Sequence, residues 1–550
     1  MHASTTSAET ATTREAAAAG GIDLDLGRDR SHETDVCVIG SGIGGLCCAG
    51  LLARYGLKVT VCEAHYHAGG AAHAFEVQGY RFDSGPSFFA GLTGNIGKSP
   101  NPLKQVFDAI GEQVECATYD RWITYTPNGT FPVIADAEGY RQMILQQGGP
   151  EALQQWQALE TIMAPLQQGA SLFPAAAIRS DLGVILTAAR FGPSLARTGL
   201  MAGTLTAPFS KVVDKVVTNK WLRQFIDLEC FVLSGMTAKD TICAEMAFMF
   251  MERNSGRSTI DYPMGGSGAI IDALVRGIEK YGGRVLLRSH VDEIILEGGK
   301  AVGVRLRPKP GKRGVSGPEI IRARKAVVSN ASVWDTQKLL NHRDDNWRRE
   351  AQSTPQTGSF MHLHLGIDAG GLPKDLECHH LIVNSLEDVE APQNVNIVSI
   401  PTVFDKSLAP PGKALVHAYT AGNEPYSLWR GLDRRSPEYL HLKEERSQCL
   451  WQALERVIPD IRQRVELNLA GTPLTHERFL NRHQGTYGPA ISAANSSFPG
   501  PQTPIKGLYR CGDSSNPGIG VPAAAASGII CANTLVPVWS HFKLLDALNM

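Results

Sequence analysis

Apolar and polar positions along this chain switch between two periods, and the order of the switches is clearest near the N-terminus. Val36, Val38 and Ile39 make a short apolar strand, Leu46 to Tyr55 an apolar, Ala-containing helix, and Leu57 to Cys62 a second, β-branched strand. The turn between the first strand and the helix carries Gly40, Gly42 and Gly45, and Glu63 closes the second strand. That order suits the ADP half of a dinucleotide. Gly40 permits the tight turn, Gly42 lets the backbone approach a pyrophosphate, and Gly45 lets the helix pack close to the sheet. The helix N-terminus adds unpaired N–H groups and a partial positive charge, while Glu63 is placed to accept hydrogen bonds from a ribose. The motif by itself does not separate NAD from FAD.

Further along, a hairpin is predicted from Trp122 to Ile134 around the turn signal Pro127-Asn128-Gly129. Residues 137 to 260 read as largely helical, broken by Pro165, Pro174, Pro193 and Pro208. The α/β rhythm returns from Tyr262 to Leu306, where PMGGSG leads into an amphipathic helix with Ile271, Leu274, Val275 and Ile278. Lys325 to Ala331 is another strand entering a turn. Residues 357 to 480 alternate short strands with loops and one charged helix, Pro437 to Val457. Within them SFMHLHLGID and NVNIVSIPTV carry the period of two expected of a sheet with one buried face. Near the C-terminus, Leu508 to Cys511 is a short strand running into Gly512-Asp513, and a small-residue helix begins near Val521. In a flavin site, an Asp there accepts hydrogen bonds from the ribityl or pyrophosphate region, and the helix start faces the pyrimidine edge of the ring. The aromatics Phe88 and Phe89 leave two readings open, the wall of an apolar ligand site or ordinary core.

At 550 residues, 43% hydrophobic and 19% charged, the chain has material for two or more domains with a large core. Lys+Arg 53 against Asp+Glu 54 gives a formal charge of -1, so nothing global attracts nucleic acid. Eleven cysteines without a CxxC pair indicate neither a disulfide framework nor a zinc knuckle. Cys37, Cys62 and Cys531 lie in apolar runs as small core residues, and a reducing compartment fits. His379 and His380 are neighbours on the strand-like HHLIVN and point to opposite faces, so no metal is expected there. The first 34 residues are rich in Ala, Ser and Thr and lack a secretory apolar region; they read either as an organelle transit-like segment or as a disordered tail. Ser514 to Ser540 carries no charge, yet Pro517, Gly518, Gly520, Pro522, Gly528 and Asn533 interrupt it. A buried helix under the cofactor is expected rather than a membrane span.

Two nucleotide-site pieces at opposite ends of the chain imply a split domain. Taken together, GxGxxG, Glu63 followed by Gly69-Gly70, FDSGPS, PMGG, VVSNAS and GLYxxGDSxxPGxGV resemble the carotenoid isomerase and phytoene desaturase superfamily, FAD enzymes that also include retinol saturases. Gly471 to Pro489, GTPLTHERFLNRHQGTYGP, is most similar to plant-type carotenoid isomerases and their relatives. The resemblance implies an α/β fold: a split Rossmann-type FAD-binding domain with an inserted substrate-binding sheet and a helical membrane-associated region. It places FAD-binding parts at 35–136, 261–335 and 486–550, a helical lid at 137–260 and the substrate sheet at 336–485. It implies FAD contacts at Gly40, Gly42, Gly45, Glu63, Gly69, Gly70, Val291, Asn330, Gly512, Asp513 and Val521, with Val291 acting through its backbone beside the adenine. Two departures stand out. Ala71 follows the paired glycine where many flavin oxidoreductases have Arg, which loosens the analogy to amine oxidases. PGIGVPAAAASG lacks the Gln that usually follows PG in isomerases.

The resemblance also implies a carotenoid or other polyene lipid as substrate, and a plastid or cyanobacterial-type membrane as the place of work. Leu182 to Val217 is apolar and basic: Arg190, Arg197, Lys211 and Lys215 outnumber the single acid, Asp214. It is too short in uncharged length to span and suits peripheral docking or an internal lid. Two reaction versions are open: redox-neutral isomerisation or hydration using reduced flavin, and net redox with a quinone or oxygen as electron acceptor. His483, Tyr487 and Glu477 precede the C-terminal motif, but structural hydrogen bonding is the expected role, and no catalytic side chain is assigned. The rival readings are a prenyl-lipid escort of the GDP-dissociation-inhibitor architecture and an amine oxidase-like enzyme.

Overall fold

Val59–Cys62 is buried at every position, as a strand flanked on both sides must be, and it forms the heart of a parallel sheet with Glu33–Ile39. The computed structural model describes residues 33–172, 174–192, 203–254, 260–308, 319–341, 344–496 and 498–550. In this first sheet the strand order is Arg284–Leu286, Val59–Cys62, Glu33–Ile39, Ile320–Ser329, Lys300–Leu306 and Val291–Glu297. Leu508–Arg510 adds in parallel to Ile320–Ser329, pairing Val328 with Tyr509. Segments from both ends and the middle of the chain thus build one layer. Its cover is helix Ile43–Arg54, packed against helix Val521–Leu535 so closely that a Cβ on Gly528 would lie 2.4 Å from the Gly44 carbonyl oxygen. The first helix begins at Ile43, earlier than its apolar run, because Gly44 and Gly45 occupy a first turn with no room for side chains.

The second sheet has the order Val465–Gly471, His362–Asp368, Lys413–Thr420, Val395–Ser399, His379–Val383, Arg121–Thr126 and Gly129–Ile134. The hairpin between Arg121 and Ile134 forms as its turn signal predicts. It joins this sheet rather than the nucleotide-binding one, through parallel pairing of Ile123 with His380. The expectation of a single buried face for SFMHLHLGID and NVNIVSIPTV is also corrected: His362–Ile367 is buried at every position and Val395–Ser399 at all but one. Leu363, Leu365 and Ile367 pack with Leu450, Trp451 and Leu454 of helix Pro437–Val457, so the sheet is covered on that side as well.

Helices Ala137–Leu172, Lys220–Ser234 and Cys243–Asn254 form the third region, around a core that includes Tyr140, Trp156, Phe225 and Phe250. Pro165, expected to break a helix, lies inside one; the kink falls instead at Gly149, whose φ of 82° departs from helix just before Pro150. The Arg253 guanidinium sits 3.6 Å from the Tyr140 ring centroid and 2.9 Å from Glu229, a cation paired inside an aromatic core. Among the described residues no helix is long and apolar enough to cross a membrane. Part of the expected docking segment, residues 193–202, lies outside the described residues, as does the tail before Glu33. Phe89 is core, in line with one of the two readings of that pair, and Phe88 is exposed.

Candidate functional site: a glycine cradle facing a histidine wall

Backbone packing builds the first half of the site. A Cβ on Gly45 would lie 2.3 Å from the Gly40 carbonyl oxygen, and one on Gly70 would lie 3.0 Å from the Gly42 Cα. Asn330 is wedged between the two chain ends: its amide nitrogen would be 2.8 Å from a Cβ on Gly42, its oxygen 2.7 Å from one on Gly512. Gly512 has a φ of +92°, a conformation glycine alone adopts freely, and donates its N–H to Ser527 Oγ at 2.7 Å. Gly69, at φ +119°, donates to the Ser41 carbonyl at 3.0 Å and bridges to Gly42.

Glu63 Oε2 accepts from Ser41 N at 2.8 Å and Ser41 Oγ at 2.6 Å, and Oε1 accepts from His65 N at 2.7 Å. The acid at the strand end therefore fixes the glycine turn and retains lone pairs for a ribose. Its own carbonyl accepts from Ser289 N at 2.7 Å, which sets Val291 two residues further on. Val521 opens the small-residue helix directly after Gly520, at φ 103°. Asp513 is held by an ion pair from Arg482, whose Nη2 also donates to the Tyr487 carbonyl at 2.6 Å. Gly40, Gly42, Gly45, Asn330 and Gly512 thus converge in direct contact, Gly69 and Gly70 adjoin them, and Glu63 is tied in through Ser41. Sequence reasoning missed Gly44, Ser41 and Arg482. A Cβ on Gly44 would lie 2.7 Å from the Gly512 nitrogen, a constraint visible only once the ends meet. A backbone-lined turn at a helix start, with an acid at the strand end, fits the ADP half of FAD.

The second half is the face of the second sheet opposite helix Pro437–Val457. His364 stands directly across from His417 on neighbouring strands, and His362 across from Tyr419. His362 Nδ1 and His417 Nε2 are 2.7 Å apart, one donating to the other, while His362 Nε2 and His417 Nδ1 have no partner. His364 Nε2 donates to the Asp83 carbonyl at 3.0 Å, which joins the wall to the FDSGPS turn. The Asp83 carboxylate accepts from Ser267 N at 2.7 Å and caps the helix after PMGG; burial raises it above the ordinary carboxylate range. The wall continues through Ser399 and Ser87, 2.7 Å apart, to His379, which Tyr119 contacts at 2.6 Å and Phe88 covers at a ring distance of 4.5 Å. At its other end His476 approaches His362 at 4.7 Å, and Phe360 stacks edge-on to Tyr487 at 5.2 Å.

Burial pushes every imidazole of this wall toward the neutral form, His364 to about 4, His379 and His476 to about 3, and His362 and His417 well below the usual value. His362, His364 and His417 place one ring nitrogen each within 4.8 Å of the others, a set that could hold a metal ion. The 2.7 Å contact is a hydrogen-bond length between two nitrogens, and His364 already spends a nitrogen on Asp83, so the arrangement is that of a hydrogen-bonded imidazole cluster. Of the three acid-base candidates read from sequence, His483 stacks on Trp334 at 5.0 Å and Glu477 accepts from Tyr426 at 2.9 Å, both structural roles. Tyr487 alone reaches the wall. The missed signal was the H-L-H alternation in SFMHLHLGID, which sets His362 and His364 on one face.

Residues 43–536 match the family of flavin containing amine oxidoreductases. The chain belongs to that family, and its cofactor is FAD. Prolycopene isomerase from Daucus carota, a chloroplastic protein, is 32% identical over 527 residues, covering 93% of this chain and 81% of the relative. All-trans-retinol 13,14-reductase from Danio rerio is 28% identical over 528 residues, covering 88% and 82%. Among solved structures, a putrescine oxidase variant aligns with a TM-score of 0.57 at 14% identity, covering 92% of this chain and 99% of its own, which establishes the shared fold. The protein is accordingly a FAD-dependent enzyme of the isomerase and oxidoreductase type, which removes the escort reading.

Proposed function

We propose that this enzyme acts on the polyene chain of a carotenoid and performs a redox-neutral cis–trans isomerisation or a hydration. The observation that carries the reading is the 32% identity to prolycopene isomerases along nearly the whole chain. The flavin, when bound in its reduced form, would supply electron density that transiently lowers a double bond's order and would recover it after the reaction. Gly40, Gly42, Gly45, Gly69, Gly70, Gly512 and Val521 would hold it by backbone approach, Glu63 and Asp513 by their carboxylates, Asn330 where the two chain segments meet, and Val291 through its backbone beside the adenine. The histidine wall offers an uncharged, aromatic surface: neutral imidazoles impose no desolvation penalty comparable to that of cations beside an apolar chain. Buried Tyr419 and the packed pair Phe360 and Tyr487 add aromatic surface to it.

A net-redox saturation or desaturation, with a quinone as electron partner, is the second reading; the retinol reductase relatives favour it. Peripheral membrane contact in a plastid is supported by the chloroplastic relatives and by exposed Leu182, Ile185 and Leu186 beside Arg190. Anaerobic incubation with reduced FAD and several carotenoids in liposomes tests these readings. Unchanged product mass with altered retention supports isomerisation, added water supports hydration, and a change of two hydrogens supports the second reading. Unaltered substrate in every case removes the carotenoid proposal.

A further inference from the structure

The loop that joins Glu63 to strand Ala74–Val77 carries three histidines, His65, His67 and His73, and the paired glycines lie inside it. The three rings form one cluster. His65 lies 5.1 Å from His73 and 5.6 Å from His67, and His67 stacks on His73 at 5.9 Å. The cluster is attached to the cradle: His73 Nδ1 is 2.7 Å from the Gly70 carbonyl oxygen, and a Cβ on Gly69 would lie 3.0 Å from the His73 nitrogen. Gly69 in turn bridges to Gly42, in the turn where the backbone approaches a pyrophosphate.

Hydrogen bonding fixes where the protons stand. A carbonyl oxygen only accepts, so His73 carries its proton on Nδ1. Ser84 Oγ, 3.1 Å from the same nitrogen, spends its own proton on the Ala71 carbonyl at 2.9 Å and therefore also accepts. His73 Nε2 is then a bare lone pair. Among the described residues nothing hydrogen-bonds it, although the residue is only 7% exposed. A lone pair there repels a phosphate oxygen, whereas a proton there turns the same atom into a charged donor. His65 has the opposite tautomer. Its Nδ1 accepts from His67 N at 3.1 Å, which puts the proton on Nε2, an enclosed atom with no acceptor. A buried donor of this kind calls for a partner.

We propose that His73 takes up a proton as FAD binds and donates Nε2–H to its diphosphate, supplying the positive charge that Ala71 leaves out where many flavin oxidoreductases have Arg. The proton comes from solvent, and only an N–H bond is made. The inference concerns the cofactor and stands whichever polyene reaction the enzyme performs. Burial holds His73 below the ordinary imidazole range, while the Gly70 carbonyl and the Glu63 carboxylate favour its charged form. The charge of a diphosphate adds to the second side of that balance. The other titratable groups around His73 are His65 and His67 on its own loop, His364 from the second sheet and His476 from helix Pro473–Leu480. Burial keeps all four toward the neutral form, and His73 is the one hydrogen-bonded to the paired glycines.

Calorimetric titration of the full-length apoprotein with oxidised FAD, in two buffers of different ionisation enthalpy, counts the protons taken up. At pH 7 about one proton per FAD is expected, and a similar uptake with ADP-ribose, which keeps the diphosphate and has no group titrating near neutrality. Adenosine, without phosphates, should cause none. The bound state holds the extra proton, so FAD affinity should fall as pH rises, by up to about tenfold per pH unit. His73→Arg, charged at every pH, should bind FAD without proton uptake and with an affinity that pH leaves unchanged. His73→Gln should lose the uptake and the pH dependence and bind FAD more weakly. A native protein whose binding heat is the same in both buffers overturns the proposal, as does proton uptake that persists in His73→Arg. Binding of neither FAD nor ADP-ribose by the native chain overturns the cofactor site and this inference with it.

Discussion

The glycine cradle and the histidine wall are linked through Arg482, which holds both Asp513 and the Tyr487 carbonyl, but they are built on opposite logics. In the cradle, side chains are excluded: backbone from residues 40–45, 69–70 and 512 meets at distances no Cβ could share. In the wall, side chains do everything, and the strands beneath are interchangeable supports. A backbone-lined site recognises what every member of a cofactor-sharing family binds, whereas a side-chain-lined site is free to change with the substrate. The difference teaches where specificity in this enzyme resides, and it can be tested at four points.

Gly528→Leu should have the largest effect. Its side chain would be driven into the Gly44 carbonyl, at a cost of about 3 kcal/mol or more. The expected outcome is loss of FAD and of soluble protein, read by visible absorbance after purification. Retained flavin would show that the chain ends do not close the cradle. Glu63→Ala comes next: removing an acceptor of two hydrogen bonds from Ser41 should weaken FAD binding about a hundredfold, measured by titration of the apoprotein.

His417→Leu should leave FAD content intact and reduce polyene turnover about tenfold, since it strips His362 of its 2.7 Å partner. Flavin loss in that variant would mean that the two halves are not separable. The smallest effect is a slope in stability against pH. His364 titrates near 4 when folded and near its ordinary value when unfolded, and His379 and His476 lie lower still. Between the unfolded and folded values the unfolded chain binds more protons, so stability is full above pH 6.5 and falls as the pH drops toward 4. Thermal unfolding across that window should show the midpoint declining, and less steeply in His364→Gln.

The same contrast explains what could be read from the chain. Gly40, Gly42, Gly45 and Glu63 were legible because local backbone geometry leaves no alternative at those positions. Gly44 was not, since its constraint comes from Gly512, far away in sequence. His362 and His417 are 55 residues apart, and only strand register joins them. The hairpin was recognised from its turn, yet its sheet depends on pairing with His379–Val383, which no local pattern encodes.

The contact between Gly44 and Gly528 also has a consequence for how the enzyme is made. Helix Val521–Leu535 supplies the last surface of the cradle, so the first glycine turn must wait until that helix has been synthesised. The hairpin, the second sheet and the helical region can assemble earlier, from contacts that lie within the nascent chain. Cofactor capture is therefore a late event, which waits until residues 521–535 have been made and packed. A chain that stops short presents a finished substrate wall with nothing to power it.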